Sequence, residues 1–227
     1  MAKKKRTRFS ENDTFPNLFQ LNYHQVLTEG FGLKGKWNRD FFGNDAPIIV
    51  ELGCGKGEYT IGLAERMPEN NYIGIDIKGA RMWRGLKTAH EEGFRHVAFI
   101  RSHIELIEHF FGPGETAELW ITFPDPHPKA SKARKRLTSP LFLERYRHIL
   151  KDEHVIHLKT DDADLFEYTL SIIARGNHQL LYHTFDLYRE GKDEVVAGIQ
   201  TFYEKIWLEQ GKCICYLRFR LGDTPKS

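Results

Sequence analysis

Ile48-Ile49-Val50-Glu51-Leu52-Gly53-Cys54-Gly55-Lys56-Gly57 is the stretch that decides the fold. Its apolar start, bounded by Pro47, predicts a short buried parallel strand. Gly53, Gly55 and Gly57 let the chain turn tightly and approach a ligand without Cβ clashes. Tyr59, Ile61, Leu63, Ala64 and Met67 supply the apolar side of a helix that starts at that turn. Such a strand–loop–helix unit presents backbone N–H groups and a helix N-terminus to a nucleotide-like ligand. The spacing is G-x-G-x-G, and Glu58 stands where a dinucleotide fingerprint needs its third glycine, which disfavours an NAD-dependent dehydrogenase. Glu51 puts a carboxylate beneath the loop, a poor neighbour for a pyrophosphate and a good one for a cation. S-adenosylmethionine, with its sulfonium and α-amino groups, suits that site.

Beyond the first helix, residues 71–76 read as a second strand that ends in Asp76. This acid follows the glycine loop by about 20 residues, the separation at which a carboxylate meets ribose hydroxyls. The competing reading is an N-cap for the next helix. That helix carries Lys78, Arg81, Arg84 and Lys87 at spacings of three, a pattern that ordinarily marks a solvated face. Strands follow at 97–101, 118–122, 155–158, 180–187 and 213–220, with a helix from Ile104 to Phe111 stopped by Gly112-Pro113-Gly114. Strand and helix alternate, which predicts an α/β fold with a doubly wound, mostly parallel seven-stranded sheet. Residues 31–227 are expected to form this domain and residues 1–30 a basic tail and N-terminal extension; Trp37 is expected to pack rather than to line the site.

Composition bounds the function class. The 227 residues are 41% hydrophobic and 28% charged, as in an ordinary globular protein, and the net charge of +2 says little by itself. No apolar run nears the roughly 20 residues of a membrane span, and the N-terminus lacks a secretory apolar core. Cys54, Cys213 and Cys215 are an odd set, suited to a reducing cytoplasm rather than a disulfide framework. Cys213 and Cys215 alternate along a strand without a second ligand pair, so no metal site is expected. Nothing points to a membrane or an obligate protein partner.

The fourth strand empties into Phe123-Pro124-Asp125-Pro126-His127-Pro128-Lys129, where three prolines forbid regular structure and hold Asp125 in a rigid loop. Lys129, Lys132, Arg134, Lys135 and Arg136 follow without an acid. A solvated charge run competes with a phosphate-binding segment, and the rigid acidic loop beside it favours the latter. Lys3, Lys4, Lys5, Arg6 and Arg8 form a second basic run, read as a disordered tail, a nuclear-import signal or an arm on phosphates. Ser139 and Pro140 open a helix as N-cap and first-turn proline. Asp161 ends the fifth strand after Lys159-Thr160, either facing a ligand or capping the helix that starts near Asp164. Thr201-Phe202-Tyr203-Glu204 has the form of a capping box.

Together these stretches resemble the tRNA (guanine-N7)-methyltransferase family, bacterial single-chain type, over about residues 30–220. The resemblance rests on Glu51 to Gly57, on Phe123-Pro124-Asp125-Pro126 with its basic run, on Lys159-Thr160-Asp161 and on Thr201 to Glu204. It implies a Rossmann-like fold, S-adenosylmethionine as methyl donor, and tRNA as the partner, with a guanosine of the variable loop as acceptor. By resemblance Glu51, Gly53, Gly55, Gly57, Asp76 and His103 border the cofactor, with Asp125 both bordering it and catalytic. Lys129, Asp161, Thr201, Phe202, Tyr203 and Glu204 would contact the nucleoside. The chain departs from the family's usual Asp-Ala pair with His103-Ile104, and from its usual Trp in the proline loop with His127. An imidazole stacks on a base less extensively than an indole, so a modified platform is expected.

Guanine N7 carries a free lone pair, so transfer needs orientation rather than a base. Asp125, Asp161 and Glu204 are therefore read as clamps on guanine's N–H donors and as counter-charges, not proton abstractors. The competing classes are a methyltransferase on another acceptor and a non-catalytic RNA-binding module on the same fold. The first lacks its Asn/Asp-Pro-Pro-aromatic loop; Glu51, Asp76 and Asp125 together argue against the second.

Overall fold

The computed structural model describes residues 2–191 and 193–222, those before residue 7 by their backbone alone. Its strands are β1 (Leu18–Phe19), β2 (Ile48–Leu52), β3 (Asn71–Asp76), β4 (Val97–Arg101), β5 (Thr116–Thr122), β6 (Leu150–Thr160), β7 (Gln179–Thr184) and β8 (Cys215–Arg220). They pair into one eight-stranded sheet in the order β1-β4-β3-β2-β5-β6-β8-β7. Every pairing is parallel except those that β8 makes with β6 and β7. The helices are α1 (Ala2–Asn12), α2 (Tyr23–Thr28), α3 (Glu58–Arg66), α4 (Gly79–Glu91), α5 (Ile107–Phe110), α6 (Pro140–Arg147), α7 (Ala163–Arg175), α8 (Leu187–Glu190), α9 (Glu194–Gly198) and α10 (Phe202–Glu209).

Strand β2 is buried along its whole length because helices cover both sheet faces. Val50 and Leu52 point into one layer with Ile73, Ile121 and Phe166; Ile49 points into the other with Tyr72, Phe99 and Tyr216. The chain winds outward from β2 to β3 and β4, then crosses back to β5 and β6. The order therefore reverses between β2 and β5, and this switch point opens a crevice at their C-terminal ends.

The N-terminal extension expected over residues 1–30 packs against the sheet and α4. The strand Leu18–Phe19 pairs with Phe99 and Ile100 of β4, which raises the expected seven strands to eight. Where a disordered tail competed with an arm, the backbone of 2–12 is helical. Asn12 Nδ2 donates to the Gly79 carbonyl (2.9 Å), Trp83 Nε1 to Glu11, and Arg8 lies over Trp83. Strand β7 stops at Thr184 rather than 187 because Asp186 accepts from Tyr188 and Arg189 N–H and starts α8. Ser139 stands at the start of α6 as expected, but its hydroxyl donates to the Arg134 carbonyl instead of capping.

Trp37 packs, as its context suggested. Its ring is wholly buried among Phe19, Phe31, Phe41, Phe42 and Phe111, and Nε1 donates to the Phe110 carbonyl (2.9 Å). Trp37→Ala should cost about 3–5 kcal/mol in urea unfolding. A loss below about 1 kcal/mol would show that this aromatic cluster does not hold the N-terminal segment to the sheet.

Candidate active site

The glycine loop leaves β2 and folds over the end of β3, where Gly53 and Cys54 N–H both donate to the Ile75 carbonyl (2.8 and 3.0 Å). Gly53, Gly55 and Gly57 all have positive φ, which leaves the loop amides clear of side chains. Asp76 does not serve as a helix cap. One of its carboxylate oxygens accepts from Gly55 N–H (2.9 Å) and the other from Lys78 N–H (2.7 Å), and its side chain faces a cavity of about 400 Å³. Gly53, Gly55, His103, Asp125 and His127 line the same cavity.

A second cavity of about 260 Å³ adjoins it, lined by Glu51, Thr122, Thr201, Tyr203 and Trp207. Gly53, Gly55, Arg81 and Phe123 belong to both, so the two are lobes of one crevice at the switch point. Phe123 has φ of 48°, a left-handed turn that swings Pro124-Asp125 off the end of β5, and its N–H is held by the Lys159 carbonyl (2.8 Å). Further along the loop, Arg136 Nε donates to the Pro126 carbonyl (3.1 Å) and Nη2 to that of His127 (3.2 Å), while its guanidinium lies 4.2 Å from the Tyr168 ring centroid. Arg136, read from sequence as one of the phosphate contacts, is thus committed to bracing the loop that carries Asp125.

Glu51 is almost fully buried and accepts from Thr60 N–H (2.8 Å), the Thr60 hydroxyl and the Thr122 hydroxyl (2.6 Å). Burial nevertheless pushes its carboxyl up to about 7, against the pull of those hydrogen bonds. The consequence for stability has a definite sign. Between about pH 4.5 and 7 the folded protein holds a proton on Glu51 that the unfolded chain has lost, so this group's contribution to stability falls as pH rises. Glu51→Gln should therefore stabilise the ligand-free protein by up to about 3 kcal/mol at pH 8 and by little at pH 4.5. Urea titrations at the two pH values test this, and a gap that does not widen with pH would refute it.

The crevice collects Glu51, Gly53, Gly55, Asp76, His103, Asp125, Thr201 and Tyr203 of the expected residues, and leaves the others outside its lining. Gly57 is packed: a Cβ there would come 2.8 Å from Phe99 and 3.2 Å from the Gly85 Cα, so this glycine lets the start of α3 meet α4. Lys129 is exposed at the start of the basic turn. Phe202 is half exposed, with Lys56 Nζ 4.1 Å from its ring centroid. Asp161 does not cap α7, since Asp162 accepts from Leu165 N–H; Asp161 instead pairs with Lys212 (2.7 Å). Glu204 has no exposed surface, and its carboxylate is taken by Lys159, Tyr188 and Thr201 N–H, so it lies beneath the lining of the crevice. Sequence reasoning passed over Arg81, read as part of a solvated stripe, and Trp207. The signal for Trp207 was its place one turn after Tyr203 on the same helix face.

A sheet with one antiparallel strand next to its edge, a glycine loop at the switch point and an acid ending the neighbouring strand define a class I S-adenosylmethionine-dependent methyltransferase. Among solved structures, the 16S rRNA methyltransferase KamB aligns with a TM-score of 0.59 at 14% identity, over 78% of this chain and 88% of its own. The 30S ribosomal A1408 methyltransferase from an uncultured bacterium aligns at 0.59 and 17%, over 83% and 98%; likenesses this remote speak for fold alone. A family model described as "Putative methyltransferase" matches residues 45–217. The chain is 51% identical to the tRNA (guanine-N(7)-)-methyltransferase of Christiangramia forsetii, over 97% of this chain and 99% of that protein. Its identity to the protein of that name from Porphyromonas gingivalis is 50%, over 93% and 87%, and to that from Listeria monocytogenes 36%, over 78% and 81%. The chain belongs to the tRNA (guanine-N7)-methyltransferase family.

Proposed function

We propose that the two lobes of the crevice hold S-adenosylmethionine and a guanosine of tRNA, and that the protein methylates that guanosine at N7, in the variable loop as the family resemblance implies. The observation that carries this reading is the shared wall, in which Gly53, Gly55, Arg81 and Phe123 face both lobes at once. A donor in one and an acceptor in the other meet across it.

The residues fit the cofactor. Each Asp76 oxygen accepts one backbone N–H and keeps acceptor capacity toward the first lobe, which suits vicinal ribose hydroxyls. Glu51 lines the second lobe next to the shared Gly53 and Gly55, and its carboxyl, pushed up to about 7, would ionise readily beside the cofactor's ammonium group where the two lobes meet. When bound, S-adenosylmethionine supplies a methyl group on a positively charged sulfur. The protein orients the acceptor and needs no general base, because guanine N7 already carries a lone pair. Asp125, exposed and facing the first lobe, opposes the positive charge that develops on the purine. Guanine's N1–H and N2–H₂ donors need a carboxylate, and two are at hand: Glu58 in the lining of the second lobe, and Asp161 just outside it, paired now with Lys212. Thr201 and Tyr203 wall the space into which the base leaves its stack. Lys129, Lys132 and Arg134 stand exposed on the turn after the proline loop, without an ion pair to an acid among the described residues, and would hold phosphates.

No helix among the described residues is long and apolar enough to cross a membrane. Free thiols at Cys54, Cys213 and Cys215 suit the reducing cytoplasm where tRNA is modified. The test of the reading is to incubate the protein with labelled S-adenosylmethionine and unmodified tRNA, then map the labelled nucleoside. Label in 7-methylguanosine is expected; label on an exocyclic amine or on protein would overturn it.

A further inference from the structure

We infer that Lys159 is a positioning residue that joins the two halves of the site, its carbonyl oxygen holding the loop of Asp125 and its ammonium group holding the wall of Thr201 and Tyr203. This rests on the reading of the crevice as the place of methyl transfer. Lys159 is the penultimate residue of β6 and has no exposed surface. Its Nζ donates to the Val196 carbonyl (2.9 Å), the Ile199 carbonyl (3.0 Å) and Glu204 Oε1 (2.7 Å), so all three of its donors are used. Glu204 is equally buried and accepts in addition from the Tyr188 hydroxyl (2.7 Å) and from Thr201 N–H (3.2 Å). One ammonium group thus sets α9, the residue that ends it and the first turn of α10.

Stability alone does not explain such a pair. Removing two charges from water costs about what their attraction returns, and an apolar pair of the same volume would hold the layers as well. Burial holds the Lys159 ammonium below its ordinary range, with Glu204 opposing. What the pair adds is direction: three acceptors fixed around one nitrogen leave the capping box of Thr201 a single place to stand. The backbone of the same residue acts on the other lobe. Its carbonyl takes Phe123 N–H (2.8 Å), the first amide after β5 and the pivot from which Asp125 departs. A change of the side chain leaves that backbone bond in place and loosens only the wall.

Lys159→Met alone strands a buried carboxylate and is expected to fold poorly, so two other variants carry the test. Lys159→Met/Glu204→Gln removes both charges, while Lys159→Gln keeps the Glu204 carboxylate and offers it an amide. Both are first checked for folding by circular dichroism and melting. Affinity for S-adenosylmethionine, by calorimetry, should stay within about 3-fold, as should KM for tRNA, while the single-turnover methylation rate falls roughly 100-fold. Amide hydrogen exchange across 194–209 should quicken at least about 10-fold in both, a readout that needs no acceptor and so stands even if tRNA proves not to be the substrate. A folded double variant with a wild-type rate, or with unchanged exchange, would overturn the inference. So would a slow double variant beside a wild-type Lys159→Gln, because that pattern would mean that Glu204 touches the substrate itself.

Discussion

Asp125→Ala is expected to lower kcat for tRNA methylation by about 10²–10³-fold while leaving tRNA affinity within about 2-fold. The acid lies at the rim of the first lobe on a loop that two devices hold: the Phe123 amide on the Lys159 carbonyl and the Arg136 guanidinium on the Pro126 and His127 carbonyls. A carboxylate held that firmly need not reorganise when positive charge spreads over the purine, and a fixed charge in a partly closed crevice is worth more than the same charge in water. Asp125→Asn separates charge from contact, since its amide keeps an acceptor oxygen but opposes no cation. It should fall between the alanine variant and wild type. Near-wild-type turnover in Asp125→Ala would remove Asp125 from the chemistry. Because Asp125 is exposed and its side chain accepts no hydrogen bond from another residue among those described, neither change should alter melting, so the rate speaks for the reaction.

The same expectation could be framed from the sequence because the local signals there are strong. Five consecutive buried residues ending in a glycine turn leave little choice but a central parallel strand, and β2 is that strand. Three prolines around Asp125 deny it a helix or a ladder partner wherever the chain goes. The strand at Leu18–Phe19 was not legible, since two residues carry no period and their pairing with β4 is a tertiary event. Asp161 and Asp162 are chemically identical neighbours, and which one caps α7 is settled only by where the helix begins. Glu204 was the hardest to read. A T-x-x-E box looks the same whether its acid faces water or an ammonium group, and here the ammonium comes from a strand distant in sequence. Arg136 belonged to a run of like charges, and only the fold of the loop reveals that its guanidinium is spent on carbonyl groups.

That distinction within the basic run shapes the second large effect. Replacing Lys129, Lys132 and Arg134 together by Ala should weaken tRNA binding roughly 10- to 100-fold near physiological salt and flatten the slope of log K against log salt by about 2–3. All three are exposed on one turn beside the crevice, and with three neutralised phosphates fewer counterions are released on binding. Affinity for S-adenosylmethionine should not change, because none of the three lines either lobe. Arg136→Ala serves as the internal contrast. Its loss should leave the salt slope nearly intact and lower kcat, since it frees the proline loop rather than a phosphate contact. If the triple variant keeps its slope while Arg136→Ala loses it, the roles are reversed, and the turn after the proline loop is not the surface that meets the tRNA backbone.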